Sequence, residues 1–90
     1  MRVVAEIRTI DGVPTLVEQH GAMPEQRLRL RDLVLIRRIR ALELSDDRWQ
    51  FSFRPEGLVE LRGKHGAKLA AAVRRIRPDV DVRVHHPDDD

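Results

Sequence analysis

The chain has no cysteine and no tyrosine, and its aromatic residues are only Trp49, Phe51 and Phe53. Without thiols it can form neither a disulfide nor a Cys-ligated zinc site, and it has no thiol nucleophile, a composition that suits the reducing cytoplasm. No apolar run approaches the ~20 residues that a membrane-spanning helix needs. Glu6 interrupts the first apolar stretch, Val3-Val4-Ala5, so the N-terminus does not read as a secretory signal. These absences predict a cytoplasmic protein with no membrane partner. Lysine is nearly missing too: fifteen of the seventeen cations are Arg, and the others are Lys64 and Lys68. Arg forks phosphate bidentately and stacks on bases, so the bias suits nucleic acid; a GC-rich coding sequence would also produce it.

Ninety residues make one domain, and a domain this small buries only about 60–65 % of the surface its unfolded chain exposes. The expected unit is residues 1–87, with 88–90 as an acidic tail. The net charge is +2, but the charges fall in blocks. Residues 27–40 hold six Arg against Asp32, and residues 62–77 hold six Arg or Lys and no acid, while the stretches before, between and after are net acidic. Such layout bears on partners and solubility and says nothing of fold.

Along the chain, Asp11-Gly12 between the runs 3–10 and 13–20 predicts a β-hairpin over residues 2–20, because a type I′ turn needs φ > 0 at both central positions. Pairing Ile10 with Val13 sets Ile7 opposite Leu16 and puts Val3, Ala5, Ile7 and Leu16 on one face. Pro14 cannot donate to a ladder, so its strand should be an edge or should turn that nitrogen outward. Residues 25–41 carry two signals. Leu28, Leu35, Ile36, Ile39 and Leu42 share a helical face, whereas Arg27-Leu28-Arg29-Leu30-Arg31 alternates as a strand would. The abundance of Leu, Arg, Glu and Ala favours helix.

A second hairpin is expected from 42–44, a turn at Ser45-Asp46-Asp47, and 48–54, with Trp49, Phe51 and Phe53 pointing together into the core. Pro55-Glu56 opens a short turn or helix through Leu61. The next helix should bury Leu69, Ala72, Val73 and Ile76 and expose Lys68, Ala71, Arg74 and Arg75, ending at Pro78. A last strand covers 80–84, and His85-His86 begins a polar tail. The fold class expected is α+β, a small mixed sheet with two main helices and an N-terminal β-hairpin, residues 24–86 forming the helix-hairpin-turn-helix-strand core.

The stretch with the most chemistry is Arg62-Gly63-Lys64-His65-Gly66-Ala67-Lys68, running into Arg74 and Arg75. Two glycines let backbone approach a phosphate, the following helix offers its first N–H groups, and Lys64 adds charge. The string from Pro55 to Leu69 resembles the corresponding segment of type II KH domains, a family of bacterial RNA-binding proteins, with the likeness extending over residues 24–86. That resemblance implies a Gly-x-x-Gly clamp in which Gly63, Lys64, His65 and Gly66 hold a nucleotide backbone beside flanking helices. Arg62, Lys68, Arg74 and Arg75 would extend the electrostatic track.

Other chemistry finds little support. His20, His65, His85 and His86 match no compact zinc spacing, and Ser45 and Ser52 have no histidine near them in sequence, so no catalytic residue, metal or cofactor is expected. The functional expectation is a small RNA-binding module. A second is a non-catalytic interaction module that forms a homodimer, or docks a partner protein, through residues 2–20.

Overall fold

The computed structural model describes residues 3–43 and 46–86. Strands β1 (Val3–Ile10), β2 (Val13–His20) and β3 (Gln26–Arg29) form one antiparallel sheet in the order β1-β2-β3. A 3-10 turn, Leu30–Asp32, leads into the second sheet. It contains β4 (Leu33–Ile39), β5 (Arg48–Phe53), β6 (Gly57–Arg62) and β7 (Val82–His85) in the order β6-β5-β4-β7, with α1 (Gly63–Ile76) between β6 and β7. Only β7 pairs in parallel, against β4. The class is α+β with a mixed sheet and one α-helix among the described residues.

The N-terminal hairpin forms as its turn chemistry dictates. Asp11 and Gly12 adopt φ of 51° and 77°, Ile10 pairs with Val13, and Ile7 pairs with Leu16. Val3, Ala5, Ile7, Leu16 and Leu28 then join the common core. The strand of Pro14 is not an edge, however, because β3 pairs with β2. That pairing ends at Thr15 opposite Arg29, one residue short of Pro14. The residues flanking a two-residue turn share hydrogen bonds, so the Pro14 nitrogen points away from β1 to where β3 has already stopped.

The helix expected over 25–41 does not form; β3, the 3-10 turn and β4 occupy that stretch. Its buried residues are Leu30, Leu33 and Ile36, spaced three apart. A 3-10 turn supplies the first interval. A bulge supplies the second, since Leu33 pairs with Phe53 and Leu35 with Ser52, leaving Val34 over. Two irregularities in an extended chain therefore copy a helical period.

β5 pairs with β4 and β6; Leu42, expected in the second hairpin, is 96 % exposed in a bend, and Leu44 and Ser45 of that hairpin lie outside the described residues. After Pro55 the chain turns and enters β6 instead of a short helix. The aromatics behave as expected. Trp49, Phe51 and Phe53 are buried on the inner face of β5, flanked by Ile36 and Leu33 of β4 and by Leu61 and Val59 of β6.

Helix α1 packs on that inner face, but about 70° from the orientation that its aliphatic residues alone suggest. It buries Gly63, Gly66, Leu69, Ala70 and Val73, leaving Ile76 44 % exposed. Gly66 explains the rotation. A Cβ placed there would lie 2.4 Å from Trp49 Cδ1 and 2.8 Å from its Cβ, so the indole occupies the space that any side chain at 66 would need. Gly66→Ala should therefore cost about 1–3 kcal/mol, lowering the melting temperature by about 4–8 °C per kcal/mol in a domain of this size. Thermal circular dichroism tests this, and an unchanged melting temperature would show that Trp49 is not held against the helix.

Candidate nucleic-acid interface

Gly63 and Gly66 are both buried, which revises the reading of a glycine pair open to a phosphate. Gly63 takes φ of 56° where β6 turns into α1, and its N–H donates to the Asp47 carbonyl at 2.8 Å. Gly66 receives Trp49. The close backbone approach that both glycines permit is made by the protein itself. His65 sits partly on structural duty as well: with the proton on Nε2 its ring donates to the Ala5 carbonyl at 3.3 Å, tying the first turn of α1 to β1.

The basic residues are placed differently. Lys64, Lys68 and Arg75, at intervals of four and seven, fall within about 40° of one another around α1, with exposed Ala67 and Ala71 beside them. Arg74 flanks this stripe. From Lys64 to Arg75 it runs about 16 Å at 1.5 Å per residue. It points directly away from the buried side of the helix. Among the described residues none of these four cations has an ion pair or a side-chain hydrogen bond, and several strand and loop Arg, Arg37, Arg62 and Arg83 among them, also lack one, whereas five Arg are paired. Arg8 and Arg27 pair with Glu6 and Glu25, Arg48 lies 3.7 Å from Glu60, and Arg38 pairs with Asp47. Arg77, from the same basic block, serves the fold: its guanidinium donates to the carbonyls of Leu30 and Leu33 and to both carboxylate oxygens of Asp79, pinning the crossing between sheets.

At the start of α1 a cleft of about 430 Å³ is lined by Arg38, Asp47, Trp49, Arg62, Gly63, Lys64 and Ala67. No side chain caps this helix end, and its first turn holds no acid. Asp47, 1 % exposed, organises the wall. Its carboxylate accepts from Arg38 Nε at 2.9 Å, Arg38 Nη2 at 2.8 Å and the Ala41 N–H at 2.9 Å, while Arg38 lies 5.1 Å over the Trp49 ring. Asp47 neutralises Arg38, leaving Arg62 and Lys64 as the unpaired charges of the cleft.

A second groove, of about 570 Å³, separates the end of β2 from β6, with Glu18, His20, Glu60, Arg62 and His65 among its walls. Glu18 is buried and lies 3.0 Å from His20 Nε2, an acid–base pair with no hydroxyl in the lining. Among the described residues no cluster of His, Asp and Glu could hold a metal ion, and no helix is long and apolar enough to cross a membrane.

Arg62 parts from the stripe. It ends β6 and turns to the opposite, outer face of the four-stranded sheet, where it pairs in register with Arg48. The order of elements that carries the likeness to type II KH domains, helix first and a short helix after Pro55, is not the order that forms. Compared with family models, with curated proteins and with solved structures, the chain matches none. Sequence reading also missed the partnership of Arg38, Asp47 and Trp49. Its one available signal was an aspartate directly before the alternating strand that carries the aromatics.

The Asp47 carboxyl is held below the ordinary carboxylate range, chiefly by the Ala41 N–H and then by Arg38, and that of Asp79 by Arg77. A depressed folded value means that the unfolded chain takes up protons first. Their contribution to stability is complete above the ordinary value of about 3.9 and is lost as pH falls through the lower folded values. Acid unfolding followed by Trp49 fluorescence should accordingly be shallower in Asp47→Asn, which should also be less stable at neutral pH. Asp79→Asn, at a side chain 66 % exposed, should change both less. Identical acid profiles for wild type and Asp47→Asn would refute the assignment.

Proposed function

We propose that this protein binds nucleic acid, RNA above all, through phosphate contacts along the exposed stripe of α1. The observation that carries the reading is the clustering of unpaired cations on one exposed helix. Lys64, Lys68, Arg74 and Arg75 lie together on one helix without a carboxylate partner among the described residues, while Arg8, Arg27, Arg38, Arg48 and Arg77 each have one. Four cations held within about 16 Å along a rigid helix create a field that a polyphosphate offsets.

The mode of binding follows from the burial of the aromatics. Trp49, Phe51 and Phe53 lie in the core, so neither the indole nor a phenyl ring is offered to an unstacked base. Recognition is then of the backbone and tolerant of sequence. Small exposed side chains at 67 and 71 let a phosphate chain lie close to the helix between the longer cations.

Four phosphate contacts on a single strand correspond to a slope of about 3 in the logarithm of affinity against the logarithm of salt, at about 0.7 per contact. Affinity for a labelled oligouridylate, read by fluorescence anisotropy, should fall roughly fiftyfold between 50 and 200 mM salt by the same relation. The charge-reversed variant Lys64→Glu, Lys68→Glu, Arg75→Glu should bind more weakly and with a smaller salt slope while keeping its circular dichroism spectrum. Running the same titration with oligothymidylate separates RNA from DNA as the preferred source of the phosphates. Binding that ignores both salt and the triple variant would overturn the reading.

The second reading is self-association through the N-terminal hairpin. It is favoured by β1 being an eight-residue edge strand with Val4 half exposed, although His65 already occupies the Ala5 carbonyl on that edge. Sedimentation of the free protein as a dimer, abolished by Ile7→Pro in a still-folded chain, would support it.

A further inference from the structure

The four-stranded sheet has a second side. On its outer face lie Leu35, Arg37 and Ile39 of β4, Arg48, Gln50 and Ser52 of β5, Leu58, Glu60 and Arg62 of β6, and Arg83 and His85 of β7. None of these residues is buried. Both the helix and the other sheet pack on the inner face, so this side is open.

Its charges are placed against one another. Arg37 stands opposite Arg83 across the β4·β7 pair, and Arg48 stands opposite Arg62 across β5·β6. Like charges directly opposite on a sheet repel, and adjacent strands lie only about 4.8 Å apart. The acid among these residues is Glu60, which accepts a hydrogen bond from Gln50 and sits 3.7 Å from Arg48. Arg37, Arg62 and Arg83 have no ion-pair partner among the described residues. Two like-charged pairs facing across strands on an open sheet are unfavourable to the protein alone, Arg48–Arg62 less so because Glu60 lies beside Arg48, and an anion shared by each pair reverses the sign of that cost. The planar fork of Arg takes two phosphate oxygens at once, so each pair can grip one phosphate from two sides.

This face and the α1 stripe look in opposite directions. The buried side of α1 rests on the inner face of the sheet, and Lys64, Lys68 and Arg75 are half a turn away from it. The helix body, about 10 Å thick, and the sheet itself stand between the two sets of cations. Arg62 and Lys64 line one cleft at the start of α1, but a straight nucleic-acid segment that lies along the stripe cannot reach Arg37 and Arg83.

We propose that the outer face of the sheet is a second phosphate-binding surface, centred on Arg37–Arg83 and Arg48–Arg62, and that the protein joins two nucleic-acid segments, one on each side. This rests on the nucleic-acid reading of α1, and it adds a bridging role that α1 alone does not have. The occupant is the same phosphodiester backbone, chosen by charge complementarity: four guanidinium groups against one carboxylate, with no Trp, Tyr or Phe among these residues.

The test uses the full chain with donor-labelled and acceptor-labelled oligouridylates, each of which binds the protein by anisotropy. Energy transfer between the two oligonucleotides reports bridging, and sedimentation of the complex counts protein chains per bridge. The expected result is transfer at one protein per two oligonucleotides. It should drop at least tenfold in Arg37→Gln, Arg83→Gln and equally in Lys64→Glu, Lys68→Glu, while each variant still binds one oligonucleotide through its remaining face. Because Arg37→Gln, Arg83→Gln removes a repulsion, its melting temperature at low salt should rise, so lost bridging cannot be ascribed to unfolding. A fall in melting temperature would overturn the crowding premise. Binding without energy transfer, or transfer that survives Arg37→Gln, Arg83→Gln, would overturn the bridging proposal and leave the α1 reading standing. No binding of either oligonucleotide at low salt would overturn both.

Discussion

The seat of Trp49 on Gly66 is the contact from which the rest of the architecture follows. A 14-residue helix with two consecutive apolar faces to choose from is fixed in rotation by the one position where an indole can reach its backbone. That rotation turns Leu69, Ala70 and Val73 onto the sheet and, half a turn around, aims Lys64, Lys68 and Arg75 at solvent. It also brings the start of α1 to Asp47, whose carbonyl accepts the Gly63 N–H and whose carboxylate binds Arg38 over the same indole. Core packing, helix entry and the cationic surface are thus consequences of one close approach. They are not independent designs.

Arginine does two kinds of work here, and the difference lies in what surrounds it. Arg77 spends its donors on the carbonyls of Leu30 and Leu33 and on Asp79, and Arg38 spends its own on Asp47, so each serves the fold. Lys64, Lys68, Arg74 and Arg75 of α1, and Arg37, Arg62 and Arg83 of the open sheet face, have no such partners among the described residues. A sequence count treats all fifteen Arg alike. Only the pattern of pairing separates those that hold the chain together from those left to meet something else.

The hairpin and the aromatic strand were legible because their signals are local. Asp11-Gly12 permits a turn that few other dipeptides do, and the alternation of Trp49, Phe51 and Phe53 is a period of two with no competitor. Residues 25–41 were not legible, since the 3-10 turn at Leu30–Asp32 and the bulge at Val34 shift the phase of an extended chain until its buried residues recur every third position. The candidate site divides along the same line. The run of cations after Gly63 was plain, but the burial of both glycines and the departure of Arg62 to the other face depended on contacts with Trp49, Asp47 and Arg48, up to seventeen positions away in sequence.

The sequence by itself determined the α+β class, the register of the first hairpin, the aromatic core strand and the helical stripe of Lys64, Lys68 and Arg75, each set by neighbours within a few residues. Tertiary structure alone decided that the chain has one α-helix among the described residues, how that helix is rotated, and that Arg37 meets Arg83 while Arg48 meets Arg62. Those pairings join strands separated by up to about fifty residues, and strand order across a sheet is set by which apolar faces bury one another. No local period or motif encodes that choice.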